Sequence, residues 1–97
     1  MKKLNSAEID VILALHQRFG IDKTKELFSS GMMRSEVDGW SIPNKQAEKR
    51  LVLAVLEYTG GNVQGACRIL NGAKIIAPGY NPDFWNEYNI DAVRRAP

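Results

Sequence analysis

The chain has 97 residues, 44% of them apolar and 25% charged, with 13 basic and 11 acidic side chains for a formal charge of +2. That is one domain's worth of sequence with material for a small core. It excludes a chain disordered throughout and a polycation that grips nucleic acid by charge alone. Cys67 is the only cysteine, so no intrachain disulfide forms and a reducing, cytoplasmic setting is expected. The longest dense apolar run, Leu51 to Leu56, is far too short to span a bilayer. After Met1-Lys2-Lys3 the chain alternates polar and apolar residues and holds no signal-peptide core.

The first predicted helix starts at Asn5, which can cap it, with Glu8 reaching back and Leu4 stapling onto Ile9. Ile9, Ile12, Leu13, His16 and Phe19 recur at helical spacing and predict its inner face. Gly20 predicts a left-handed stop, with Ile21 folding back on the last turn. Asp22 then caps a short helix through Leu27 and Phe28, ended by Ser29-Ser30-Gly31. Met32 to Trp40 reads as a third short helix with Met33, Val37 and Trp40 inward, although Gly39 weakens it. Ile42-Pro43 is a break. Asn44 caps the longest helix, to about Thr59, with a stripe of Ala47, Leu51, Ala54, Val55 and Tyr58 that Val52 and Leu56 widen.

Gly60 suits a left-handed helix end and Asn62 caps the next helix, with Gly61 allowing the turn between. Val63, Ala66, Cys67 and Leu70 form one stripe, Gly65 would let a neighbouring helix come close, and Asn71-Gly72 ends the helix. Pro78-Gly79 confine any helix after it to Ala73–Ala77. Asn81-Pro82-Asp83 predicts the start of a last helix carrying Phe84, Trp85, Tyr88, Ile90 and Val93, with residues 92–97 fraying. The expected architecture is a single all-α domain over 1–97, a compact bundle of five or six helices around a helix-turn-helix-like corner.

The segment from Val55 to Asn71, with its Thr59-Gly60-Gly61-Asn62 corner and the small pair Ala66-Cys67, resembles the helix-turn-helix of Fis-type proteins. The likeness covers 17 to 20 of the 97 residues. It implies an apolar helix, a tight corner and a short second helix. A left-handed turn residue at Asn71 and a groove-entering helix from about Ala73 would come next. It further implies a DNA-binding homodimer. The chain departs from the family at Gly72, where an apolar turn residue is usual, and at Pro78-Gly79, which cut the reading helix short. A weaker helix-turn-helix pattern spans Lys23 to Trp40, with Gly31 as turn glycine and Met32 after it. Leu27 stands there where alanine is wanted, and Glu26 and Ser30 stand where apolar residues are expected.

Lys45, Lys49, Arg50, Arg68 and Lys74 are the expected phosphate contacts on double-stranded DNA, with Gln64 as a polar contact. Each is equally readable as part of a solvated face. Asp83, Glu87 and Asp91 make an acidic row on the last helix. With Phe84, Trp85 and Tyr88 that row offers an alternative, a protein-interaction module or small inhibitor or adaptor from a mobile element. The bland alternatives are a soluble outer face and core aromatics. One histidine and one cysteine make no zinc set. No nucleophile–base pair, phosphate loop or facing carboxylate pair is recognisable, so neither an enzyme nor a cofactor is expected. His16 and Cys67 read as packed side chains.

Overall fold

The computed structural model describes residues 3–29, 39–76 and 85–96, and the backbone of 33–35. Its elements run α1 (Ser6–Ser29), β1 (Met33–Ser35), β2 (Gly39–Ser41), α2 (Lys45–Tyr58), α3 (Val63–Gly72), β3 (Ile75–Ile76) and α4 (Glu87–Arg95). The fold is mainly helical, as expected. The described residues, however, hold four helices, not five or six, together with a small sheet that the all-α reading did not include.

Helix α1 opens on the predicted capping box. The Glu8 amide donates to Asn5 Oδ1 at 2.8 Å and the Asn5 amide donates to Glu8 Oε1 at 3.0 Å. Gly20 does take a positive φ, 81°, but its ψ of 168° is extended, so the helix kinks and resumes at once. Ile21 points outward instead of folding back. The inner face also differs from the predicted one. Val11, Ala14 and Leu15 are buried, while Ile9 and Leu13 are exposed. Two residues from Val11 in either direction is about 200° of helical rotation, so Ile9 and Leu13 face away from the core side. The helix carries apolar residues on two sides, and spacing alone did not say which one packs.

Helix α2 is the central element. Asn44 Oδ1 accepts from the Ala47 amide at 2.9 Å. Ala47, Leu51, Val52, Ala54, Val55 and Leu56 are buried as predicted. Tyr58 is half-buried, and its hydroxyl donates to Asp10 Oδ1 at 3.0 Å, which ties α2 to α1. That bond stabilises the phenol and raises its pKa.

Within the span expected as a helix over Met32–Trp40, the described residues Met33–Ser35 and Gly39–Trp40 are strand, so among the described residues the weaker helix-turn-helix pattern over Lys23–Trp40 has no second helix. Its Gly31, Met32 and Val37 lie outside the described residues. Strand β1 runs antiparallel to β2 with Arg34 opposite Trp40. Strand β2 runs parallel to β3 with Trp40 opposite Ile75. The physical reason is at Gly39. Its φ is 88°, and a Cβ there would overlap the Lys74 carbonyl, which accepts from the Trp40 amide at 3.0 Å. Only glycine lets the two strands close there. Trp40 then packs on Phe28, their ring centroids 5.3 Å apart, under the end of α1.

Of the expected Ala73–Ala77 helix, the described residues 73–76 form a turn and a strand instead. Lys74 adopts a left-handed φ of 54° and turns the chain into β3. Ile75 is fully buried there, and β-branched residues suit that role. Asn81, Pro82, Asp83 and Phe84 lie outside the described residues. The described last helix is capped by Asn86, whose Oδ1 accepts from the Asn89 amide at 3.0 Å. Trp85, expected on that helix, precedes it and is core, 3% exposed. Asn71 clamps its backbone with two bonds: Nδ2 donates to Trp85 O at 2.7 Å and Oδ1 accepts from Trp85 N at 2.8 Å. The Trp85 indole N–H donates to Ile75 O at 3.2 Å.

Candidate nucleic-acid and partner interfaces

The corner between α2 and α3 is built as the sequence suggested. The Gly60 amide donates to Glu57 O at 3.0 Å and the Gly61 amide to Leu56 O at 2.8 Å. This is the paired bonding of a Schellman end. Both glycines have positive φ, 68° and 85°. Thr59 Oγ1 lies 3.0 Å from the carbonyl oxygens of both Leu56 and Asn62. Asn62 Oδ1 accepts from the Gly65 amide at 3.1 Å and caps α3. These bonds fix the angle between two helices joined by four residues.

Two glycines change roles. A Cβ at Gly65 would find its nearest neighbours, the Asn62 and Thr59 side chains of the corner, at an ordinary 3.4–3.5 Å, so no close approach there requires glycine. At Gly72 one does. A Cβ there would sit 2.8 Å from Ala7 Cβ, and Asn5 Nδ2 donates to the Gly72 carbonyl at 3.2 Å. Helix α3 therefore ends pressed against the start of α1.

The six expected DNA-contact residues do not form one face. Lys45 pairs with Glu48 at 3.5 Å. Lys49 Nζ donates to the Ala96 carbonyl at the end of α4. Arg50 faces the other way, into a cavity against α1. These three sit on the first half of α2, whose 14 residues put about 20 Å between its ends. Gln64 and Arg68 lie beyond the corner, one turn apart and exposed on α3. Lys74, also exposed, comes after α3 beside the strand that leads into α2.

The alternative partner surface also divides. Trp85 belongs to the core, while Tyr88 is 79% exposed. Asp83 and Phe84 lie outside the described residues. Glu87, Tyr88, Ile90, Asp91 and Arg94 line a groove of about 490 Å³ against Val63 at the start of α3. Asp91 is paired with Arg95 at 3.1 Å. Cys67 is half-buried; burial, and then the nearby Glu87 carboxylate, raise its pKa and disfavour a reactive thiolate.

Sequence reasoning missed Glu48. Its side chain is wholly buried near the start of α2, and neither carboxylate oxygen has a hydrogen-bond partner among the described residues. Burial pushes its pKa up, and Lys45 opposes the shift. A glutamate in the first turn of a helix normally reads as a dipole partner, so the only signal was its position beside Ala47 and Leu51.

Among the described residues, no helix is long and apolar enough to cross a membrane, and no three His, Cys, Asp or Glu side chains gather where a metal ion could bind. No protein-family model, curated protein or solved structure matches the chain.

Proposed function

We propose that this chain is a small DNA-binding transcriptional regulator that presents α3 and Lys74 to the duplex and acts as a homodimer. The observation that carries the reading is the outer side of the corner. Gln64 and Arg68 stand exposed one turn apart on α3, and Lys74 comes next at a φ of 54°. A non-glycine residue in that conformation costs on the order of 1 kcal/mol. The turn leaves the Lys74 side chain exposed, which supports a role for its charge. Arginine and glutamine are the side chains that pair bidentately with guanine and adenine, and lysine serves as a point charge on phosphate. Ile9 and Leu13, 44% and 46% exposed and one turn apart on α1, support a dimer face. The reading leaves out Lys45, Lys49 and Arg50, which are engaged by Glu48, by the Ala96 carbonyl and by the cleft against α1.

The test uses Lys74→Gly and Arg68→Glu in a fluorescence-anisotropy titration with a random-sequence duplex across a salt series. Lys74→Gly relieves the backbone and removes the charge. It is expected to raise thermal stability while weakening DNA binding and lowering the salt slope by about one. Arg68→Glu is expected to weaken binding further. Unchanged affinity in both variants, or no binding by the parent protein at low salt, overturns the proposal.

A second reading, a protein-interaction module, is favoured by Tyr88, whose exposed ring borders the α3–α4 groove between Glu87 and Asp91. Tyr88→Ala would then abolish partner capture and leave the fold and DNA binding untouched.

A further inference from the structure

The cavity on the opposite side of α2 has a composition of its own. It is an open cleft of about 410 Å³, lined among the described residues by Phe19, Lys23, Glu26 and Leu27 from α1 and by Arg50 from α2. Its origin is the Gly20 kink. The extended ψ of 168° turns the second half of α1 off the axis of the first, and a side chain at Gly20 would meet nothing within 4 Å. A wedge is left between that half and α2. Its volume falls within the range of small-ligand sites.

The lining is apolar at the base and cationic at the mouth. Leu27 is buried and Phe19 half-buried, with the Phe28–Trp40 stack next to Leu27 in the chain. At the mouth, Lys23 and Glu26 lie 3.5 Å apart and neutralise each other. Arg50 makes no ion pair among the described residues. Among the described residues it is therefore the charge of this cavity with no opposite partner, standing over an apolar base. A guanidinium fork matches a carboxylate bidentately and, near apolar surface, holds it more firmly than in open water.

We infer that this wedge binds a small carboxylate with an apolar body, its head on Arg50 and its body on Phe19 and Leu27. The site shares no residue with α3 or Lys74, so it stands or falls separately from DNA binding.

The experiment is an NMR titration of the full chain with 4-phenylbutanoate, following the Leu27 methyls and the Arg50 Nε–H. Saturating shifts at both, with a dissociation constant on the order of 1 mM, are expected for a ligand of this size. Arg50→Met is expected to weaken binding about tenfold and Arg68→Met to leave it unchanged. Arg50→Lys, which keeps the charge and loses the fork, is expected to fall between and serves if the methionine variant does not fold. The neutral amide of the same acid is expected to bind much more weakly than the acid. No saturating shift, equal binding of acid and amide, or full affinity in Arg50→Met overturns the inference. Inorganic phosphate producing the same shifts at the same concentrations overturns it too, because the apolar base would then contribute nothing.

Discussion

Replacing Glu48 with glutamine is expected to stabilise the protein, and more so at high pH. The wild-type side chain is 0% exposed, with both oxygens unpartnered among the described residues apart from the ion pair to Lys45 at 3.5 Å. Leaving a buried acceptor unsatisfied costs about 1–3 kcal/mol. One ion pair to a half-exposed lysine returns only part of the desolvation of the carboxylate. Glutamine keeps the shape and removes the charge. The expected gain is about 1–2 kcal/mol at pH 8, or roughly 4–8 °C per kcal/mol in Tm for a domain of this size. The pH dependence has a definite sign. Burial raises the folded-state pKa above the ordinary 4.5, so the unfolded chain releases this proton first as pH rises. The folded state then holds more protons, and wild-type stability falls as pH climbs from about 4.5 through the raised value. Below that window both forms of the chain are protonated and the glutamine variant gains little. The assay is urea unfolding of both proteins from pH 4 to pH 8, within about that span. A Glu48→Gln protein less stable than wild type at pH 8, or a difference that does not change with pH, refutes the reasoning.

Other perturbations separate the backbone devices from the packing. Gly39→Ala is expected to cost more than about 3 kcal/mol or abolish folding, because the methyl meets the Lys74 carbonyl at a φ of 88°. Gly60→Ala, at a φ of 68° with open space around it, should cost only about 1 kcal/mol by thermal melting. Asn71→Ala removes both bonds to the Trp85 backbone and should cost about 2–3 kcal/mol, with red-shifted tryptophan emission as Trp85 loosens. Unchanged emission would mean that core packing alone holds Trp85.

Local chemistry carried the helix boundaries well. The Asn5–Glu8 box, the Asn44 cap and the Thr59–Asn62 corner each use side chains that satisfy their own neighbours' amides, so a few consecutive residues contain the whole interaction. What was not legible depended on distant partners. Met32–Trp40 looked helical by spacing although Met33–Ser35 pairs locally with Gly39–Ser41, because the strand that anchors that pair, Ile75–Ile76, lies more than thirty residues on. Trp85 was readable both as core and as a partner anchor, because the clamp that decides it, Asn71, lies outside its own segment. Lys49 and Arg50 looked like one basic face, yet adjacent residues on a helix point about 100° apart. One reaches the end of α4 and the other faces α1.

The loss of the expected reading helix has its cause in the same competition. Ala73–Ala77 has no capping residue of its own, and Pro78 denies it the length that an isolated helix needs. As a strand, Ile75 buries its side chain completely, and its carbonyl accepts the Trp85 indole N–H. The flanking Lys74 and Ile76 carbonyls accept from the Trp40 and Ile42 amides at 3.0 Å each. Three hydrogen bonds and a buried isoleucine outweigh one marginal turn, and the left-handed strain at Lys74 is the cost of making the switch. On the proposed reading, the surface presented to a duplex is therefore α3 itself, where Gln64 and Arg68 stand exposed beyond Gly60 and Gly61, the helix before the turn residue rather than one after it.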